Sequence, residues 1–374
     1  MSDLECSRVV FVAGDPGGAN ALAPVIEQLK SEKNYFLSVF AYYKAALVFR
    51  QKGIDFIELS NTTTAEQVLT MLADTRPNLI VTATSINPFE VENVFIAGGK
   101  RLEIPTLSIL DFWSNYTQRF SKDEDDLVYL PDKIAVMDEL AVSEMEAQGF
   151  PSDRLVITGQ PAFDRLFDLR QCLDRKHIRD RLGIGQDSKL ILFVSQPFSE
   201  LFGKNSDNPL YPGYTQQSIL QTLLEALEDM IRESDHSIVL GILPHLRETE
   251  NWWTMLERDR VHIKVLSNEY FEEVSLSSDL VVGMTSTKLV EVALMGCAAI
   301  SLQIGAEISK RFDMERLGIT KMIFEKSTLD TFLEAFLLGN GDIVRGGGLS
   351  LRRQATANVR LLMEDMLQMK MKEN

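Results

Sequence analysis

Three hydroxyl residues in a row, Thr285, Ser286 and Thr287, follow Gly283 at the end of a short apolar run, and Glu291 stands one helical turn further on. A helix beginning here offers N–H groups without an intrahelical partner and the positive end of its dipole. Hydroxyls at that point can complete a seat for phosphate. They can equally serve as a helix N-cap and nothing more.

A second set sits around Asp111. The apolar run 105–110 ends at this carboxylate, and Trp113, Tyr116, Arg119 and Phe120 follow. A carboxylate at the carboxyl end of a buried parallel strand faces the ligand crevice of an open α/β sheet. The chemical reading is an acid or base at Asp111 with Arg119 holding an anion. The structural reading is a capping aspartate with aromatics pinning the loop. Upstream, the first apolar run opens into Gly14, Asp15, Pro16, Gly17, Gly18, Ala19 and Asn20. Glycines there permit close approach of a ligand or simply a tight turn. The spacing is not Gly-x-Gly-x-x-Gly, and no Walker lysine follows. Ser195 and Gln196 follow another apolar run. His245, with Arg247 beside it, follows the next and is the only one of the four histidines placed directly after such a run. It can donate to a phosphate or sugar oxygen, shuttle a proton, or bond the loop backbone.

The elements that must hold these groups alternate. Apolar runs at 9–13, 36–40, 55–59, 78–82, 105–110, 133–136 and 155–158 read as strands, separated by segments of helical period. The rhythm restarts with runs at 189–194, 237–242, 261–266, 280–282 and 298–302. Such alternation predicts an α/β protein with two Rossmann-like domains, each a parallel sheet covered on both faces. Domain limits are expected at 1–168 and 186–345, with a linker helix over 169–185 and a C-terminal helix within 346–374. In the linker, Arg165, Arg170, Arg175, Lys176, Arg179 and Arg181 read as a wet face. The last helix carries a stripe of Leu351, Val359, Leu362 and Met366. The segment 305–319 reads as a charged loop and short helix, with Lys310, Arg311 and Arg316 available to a phosphate or to solvent. Trp252 and Trp253 are expected on a helix after His245.

Composition narrows the partners. The chain has 374 residues, 45% hydrophobic and 25% charged, and a net charge of −16. A sequence-independent grip on nucleic acid or an anionic membrane is therefore not expected. Cys6, Cys172 and Cys297 are scattered and odd in number, which suggests a reducing compartment and no disulfide framework; Cys297 is expected to be a small buried residue. No Cys/His cluster has zinc spacing, and the acidic run 122–126 reads as a solvated loop. No run approaches the length of a membrane span. The expectation is a cytoplasmic protein without metal or other cofactor, with its oligomeric state open and a homo-oligomer permitted.

Two Rossmann-like halves with a final helix resemble the GT-B fold of nucleotide-sugar glycosyltransferases and UDP-N-acetylglucosamine 2-epimerases. The segment LVITGQPAFDRL, 155–166, is similar to the epimerases' "TGNP…D" segment. The segment 278–302 is similar to the GT-B nucleotide-sugar motif. That resemblance implies a ligand cleft between the domains, phosphate bound by Gly283, Thr285, Ser286 and Thr287, and ribose held by Glu291. Residues 244–248 resemble the "His-Pro-x-Glu" turn of some bacterial transferases, with Leu246 in place of proline. Gly14, Asp15, Gly17, Gly18 and Asn20 resemble the loop facing the acceptor or transferred group. With Arg119, Gln196 and Arg247 they would line the cleft, and Asp111 and His245 would be catalytic.

The departures favour transfer over epimerisation. Ala83-Thr84-Ser85 replaces the epimerases' Asp-Thr, and Ser195-Gln196 replaces their second-domain histidine, while Asp111 falls where they carry a glutamate. The resemblance thus implies a metal-independent glycosyltransferase-like enzyme moving a sugar from a nucleotide-activated donor to an unidentified acceptor hydroxyl. An epimerase-like enzyme is the alternative, and a non-catalytic scaffold or sensor a further one.

Overall fold

The computed structural model describes residues 6–373 apart from 124–125, 168, 170–172, 233–236, 246–247, 249–251, 257–260, 318–320 and 339–352. Arg247, Cys172 and Leu351 lie outside the described residues, as does the glycine-rich stretch 339–348. The chain divides into two compact units, Met1–Asp164 with Ser350–Asn374, and Arg165–Leu349.

The first unit is a seven-stranded parallel sheet. Its strands are β1 (Ser7–Ala13), β2 (Tyr35–Ala41), β3 (Ile57–Glu58), β4 (Leu79–Thr82), β5 (Thr106–Ile109), β6 (Lys133–Val136) and β7 (Leu155–Ile157), in the order β3-β2-β1-β4-β5-β6-β7. The helices between them are α1 (Pro16–Lys30), α2 (Ala45–Gln51), α3 (Ala65–Thr75), α4 (Val91–Arg101) and α5 (Glu139–Ala147). Central strands need apolar side chains on both faces, and β1 shows why: Val9 and Phe11 pack into one cluster while Val10 and Val12 pack into the other. Strand order reverses between β1 and β4, so the crevice beyond their carboxyl ends is the expected ligand position in this unit.

The C-terminal helix, α12 (Ala355–Glu373), belongs to this unit and is no separate segment. Val359, Met363, Met366 and Leu367 join the α1 cluster around Leu22 and Ile26. Its start is capped from afar: the Asp164 carboxylate accepts from the N–H groups of Ala355 and Thr356, both at 2.8 Å.

The second unit holds a six-stranded parallel sheet. Its strands are β8 (Lys189–Val194), β9 (Ile238–Leu243), β10 (Val261–Val265), β11 (Leu280–Gly283), β12 (Ala299–Leu302) and β13 (Lys321–Ile323), in the order β10-β9-β8-β11-β12-β13. Order reverses between β8 and β11. The described helices are α6 (Arg175–Arg181), α7 (Phe198–Phe202), α8 (Gln216–Arg232), α9 (Phe271–Ser277), α10 (Thr287–Leu294) and α11 (Lys326–Leu337). Leu220, Leu223, Leu224 and Leu227 of α8 pack on the sheet at helical spacing, as the sequence suggests. β13 escapes a sequence reading because it is a three-residue edge strand with a lysine at its start. The tryptophan segment is a single 3-10 turn, Trp252–Met255.

The basic stretch is not simply a wet face. Arg165 pairs with Glu272, Arg181 with Glu273, and Arg175 with Asp279 at 2.7 Å. Arg179 is 1% exposed. Its guanidinium donates to the carbonyls of Ser277 (3.0 Å), Gly185 (2.7 Å) and Ser188, and lies 3.4 Å from the Asp279 carboxylate. A buried cation is tolerated when most of its donors are used in this way; here both terminal nitrogens are bonded and the buried Nε is left without a partner. Arg179→Met keeps the stem and removes the charge, leaving these acceptors without a donor. The expected outcome is a loss of about 3–5 kcal/mol, read as a lower urea midpoint.

Candidate functional site

The end of β1 does not open into a loop. Pro16 begins α1, with Asp15 at its N-cap position, so Gly17 and Gly18 lie in the first helical turn. Their absence of side chains matters for proximity: a Cβ on Gly17 would fall 2.2 Å from Asp111 Oδ2, and one on Gly14 would fall 2.2 Å from the Tyr42 ring. Asp111 therefore sits against the start of α1, where a helix favours negative charge. Asn20 lies further along the same helix.

Arg119 is 5% exposed, and its Nε and Nη1 donate inside the unit. It meets Asp111 Oδ1 at 2.6 Å, the Ser114 carbonyl at 3.0 Å, Thr84 Oγ1 at 3.1 Å and the Thr84 carbonyl. The anion that Arg119 holds is Asp111 itself. The neighbouring aromatics are core rather than platform. Trp113, Tyr116 and Phe120 are all buried, with Trp113 Nε1 on the Asp138 carboxylate at 3.0 Å and Tyr116 Oη on Glu144 at 2.6 Å.

Beside Arg119 lies a cavity of about 70 Å³, whose lining includes Tyr42, Thr84, Ser85, Asn87, Glu92 and Arg119. Glu92 comes from the first turn of α4 and is 4% exposed. It receives Ser85 Oγ at 2.5 Å, the Gly14 N–H at 2.9 Å, and the Tyr42 hydroxyl. Burial pushes its carboxyl up to about 7, although the Ser85 and Tyr42 bonds pull the other way; the Asp15 charge adds to the rise. Tyr42 is raised in turn, by burial first and then by the Glu92 charge. Tyr43 and Glu90, flanking these two residues, hold φ of 50° and 54°. Such left-handed backbone costs energy in residues other than glycine and gathers at functional sites.

In the second unit the predicted residues gather at the strand reversal. Ser286 caps α10, its hydroxyl accepting from the Lys288 N–H at 3.2 Å, and Thr287 is the first helical residue. The Thr285 N–H is held by Gln196 Oε1 at 2.8 Å, which clasps the loops after β8 and β11. Gly283 ends β11 and is buried against Leu289. Glu291 is part-buried and pushed above the usual carboxylate range by burial, with Lys288 and Arg165 opposing. Lys288, over the Phe271 ring and bonded to Asn268, is lowered by burial. His245 is partly exposed after β9. Its backbone N–H reaches Glu248 at 2.5 Å, and Ser195 Oγ donates to the same carboxylate at 2.7 Å. Lys310 is tied to the Tyr211 carbonyl at 2.7 Å, and Arg311 and Arg316 cover the Phe324 and Phe312 rings. Cys297 is part-exposed, not buried. Among the described residues no group of three or more His, Cys, Asp or Glu is arranged to hold a metal.

No family model and no curated protein matches this sequence. Solved structures do match over the whole length. A putative UDP-N-acetylglucosamine 2-epimerase from Listeria monocytogenes is 18% identical at a TM-score of 0.65, over 98% of this chain and 97% of that one. UDP-GlcNAc 2-epimerase from Neisseria meningitidis, bound to UDP-GlcNAc, is 15% identical at 0.62, over 96% and 100%. MurG of Acinetobacter baumannii is 13% identical at 0.60, over 96% and 99%. The fold is GT-B. At these identities the likeness speaks for architecture alone, and the GT-B neighbours put no residue of this chain in a role.

Glu92 is the group the sequence reading passes over, although the signal was present. It stands three, four and seven residues before Phe95, Ile96 and Gly99, all buried, so the helical period places a carboxylate on the inner stripe of α4. Its raised value has a sign that can be checked. An unfolded carboxyl near 4.5 and a folded one near 7 mean that ionisation disfavours the folded state. The cost is absent below pH 4.5, grows up to about pH 7, and reaches about 3 kcal/mol above it. Melting temperatures of Glu92→Gln and wild type should therefore nearly coincide near pH 4.5 apart from any fixed offset, and diverge in favour of the variant towards pH 8.

Proposed function

We propose that the chain is a nucleotide-sugar enzyme whose second unit seats the diphosphate at the start of α10, with Glu291 turned to the ribose, and that it inverts C2 of a UDP-N-acetylhexosamine. The observation that carries the reading is the Ser286-capped helix at the strand reversal, clasped by Gln196 and followed by Glu291. Helix starts suit phosphate, and the ligand crevice of an open α/β sheet lies at such a reversal. The epimerases that share this fold over its full length, one of them bound to UDP-GlcNAc, support the substrate class and move the balance from transfer towards epimerisation.

The chemistry sets the demand. A hydrogen on C2 of such a sugar has no adjacent carbonyl to stabilise a carbanion. Its removal becomes feasible when the neighbouring C1–O bond to the leaving phosphate breaks. The enzyme must then stabilise the departing phosphate, which the helix start can do without a cofactor, and must accept the C2 proton.

Transfer to an acceptor hydroxyl is the second reading, favoured by the full-length likeness to the glycosyltransferase MurG and by Ser195-Gln196 standing where the epimerases have a histidine. Isotope exchange separates the two. Wild type incubated with UDP-N-acetylglucosamine in heavy water should place deuterium at C2, and a sugar recovered without label excludes epimerisation. The nucleotide seat is tested apart from turnover. UDP should raise the melting temperature by mass action, and Ser286→Ala with Thr287→Ala should shrink that shift. The unliganded double variant sets the baseline, since losing the cap alone costs about 1 kcal/mol. An undiminished shift would rule the seat out.

A further inference from the structure

Four strands of the second unit end in hydrogen bonds that run on into one another. From the β11 end, the Thr285 N–H goes to Gln196, after β8. Ser195, the residue before it, donates to Glu248 after β9, and the same carboxylate takes the His245 N–H. Pro244 precedes His245, and its carbonyl accepts from Asn268 Nδ2, after β10. Asn268 Oδ1 in turn accepts from Lys288 Nζ. Lys288 stands in the first turn of α10, three residues past Thr285, so the path returns to the element it left. It is a closed circuit through the ends of β11, β8, β9 and β10.

The Lys288 link differs from the rest. The strand order is β10-β9-β8-β11, so every other link joins neighbours in the sheet, whereas β11 and β10 are the outer pair of the four. Three strand spacings separate them, about 14 Å, and a long side chain on α10 closes the gap. The amide between them is fixed by its partners. An ammonium only donates and a carbonyl only accepts, so Asn268 must turn its oxygen to Lys288 and its nitrogen to Pro244. Lys288 is part-buried, with its ammonium 4.3 Å from the centre of the buried Phe271 ring. It is bonded to a neutral amide although Glu291 on its own helix and Glu272 on α9 are close enough to act on it; Glu272 is paired with Arg165. Burial holds Lys288 below the usual lysine range against the pull of both carboxylates. Desolvating a cation in this way is unfavourable, and the amide bond and the ring face offset it.

We propose that Lys288 is a positioning residue of the nucleotide seat: through Asn268 it holds the Pro244–His245 turn and the start of α10 in one arrangement, so that a nucleoside diphosphate meets a site already formed. The proposal rests on the nucleotide-sugar reading above. A seat ordered in advance loses less freedom when its ligand arrives. Without the Lys288 ammonium the Asn268 amide loses the partner that orients it, and the turns after β9 and β10 are no longer tied to α10. The remaining links then form an open row, in which each joins only a strand to its neighbour.

The test opens the circuit at different links and titrates UDP by calorimetry into wild type, Lys288→Met, Asn268→Ala and the double variant. Each single change should raise Kd about 3–10-fold. The double variant should lose no more than either alone, because a circuit already open is not opened again. Costs that add overturn the proposal. So does a loss in Lys288→Met with wild-type affinity in Asn268→Ala, which assigns the ammonium to the phosphate directly. Unchanged affinity in both variants overturns it too, whatever their melting temperatures, since a link that only supports the fold moves stability and not Kd. Asn268 lies part-exposed in a 3-10 turn, and its variant carries the test where Lys288→Met does not fold. If wild type takes up no UDP, the nucleotide reading fails, and amide hydrogen exchange decides on the circuit. Faster exchange at Thr285 and His245 in Asn268→Ala supports it, and exchange unchanged at both overturns it.

Discussion

A carboxylate out of water is stable only if other groups take over the role of water, and Glu92 ties together three strand ends of the first unit in this way. The Gly14 N–H comes from the end of β1, the Tyr42 hydroxyl from the end of β2, and Ser85 from the loop after β4. Three neighbouring strands thus converge on one group at the point where their order reverses. The close contact at Gly14 follows from this, since the Tyr42 ring must cross the β1 end to reach the carboxylate. So does the place of Asp15, whose N–H orients Ser85 while its carboxylate takes the Ile86 N–H at 3.1 Å.

The second unit solves the corresponding problem differently. Its strand reversal is closed by an amide, Gln196, on a backbone N–H. Glu248 gathers Ser195 and the His245 backbone, joining the β8 and β9 ends. Glu291 feels the charges of Lys288, Arg165 and Glu272. One unit concentrates a buried carboxyl group held by three donors, and the other a capped helix start.

Most of the scaffold was legible from residue order because buried parallel strands and amphipathic helices repeat with fixed periods. Val9–Ala13 could hardly be anything but a central strand, and the capping box of Thr64 and Gln67 found in the structure is a spacing local enough to be read from residue order. The phosphate candidate around Ser286 was legible for the same reason, since a cap must stand where a helix starts. What order could not give were long-range pairings. Nothing near Asp111 says that Arg119 folds back on it, and the Arg179 clamp depends on carbonyls that any sequence would supply. Glu92 was half legible: its helical phase marks it as inward-facing, but its partners lie 78, 50 and 7 residues away. The loop read as glycine-rich proved to be a helix start, because proline at the first helical position suits a helix as well as a turn.

The chain leaves its first unit after Asp164 and returns to it only at Ser350. During synthesis this helix follows the whole second unit, so the Asp164 carboxylate waits for partners 191 and 192 positions downstream. Until then the α1 cluster lacks Val359, Met363, Met366 and Leu367, and one face of that sheet remains partly uncovered. The second unit is contiguous and is under no such delay. Its sheet can close from one continuous stretch of chain, while the earlier-made unit stays incomplete until residues 355–373 have been made. A nascent chain that has not yet reached Ala355 would thus present, on its first unit, an apolar groove shaped for its own missing helix.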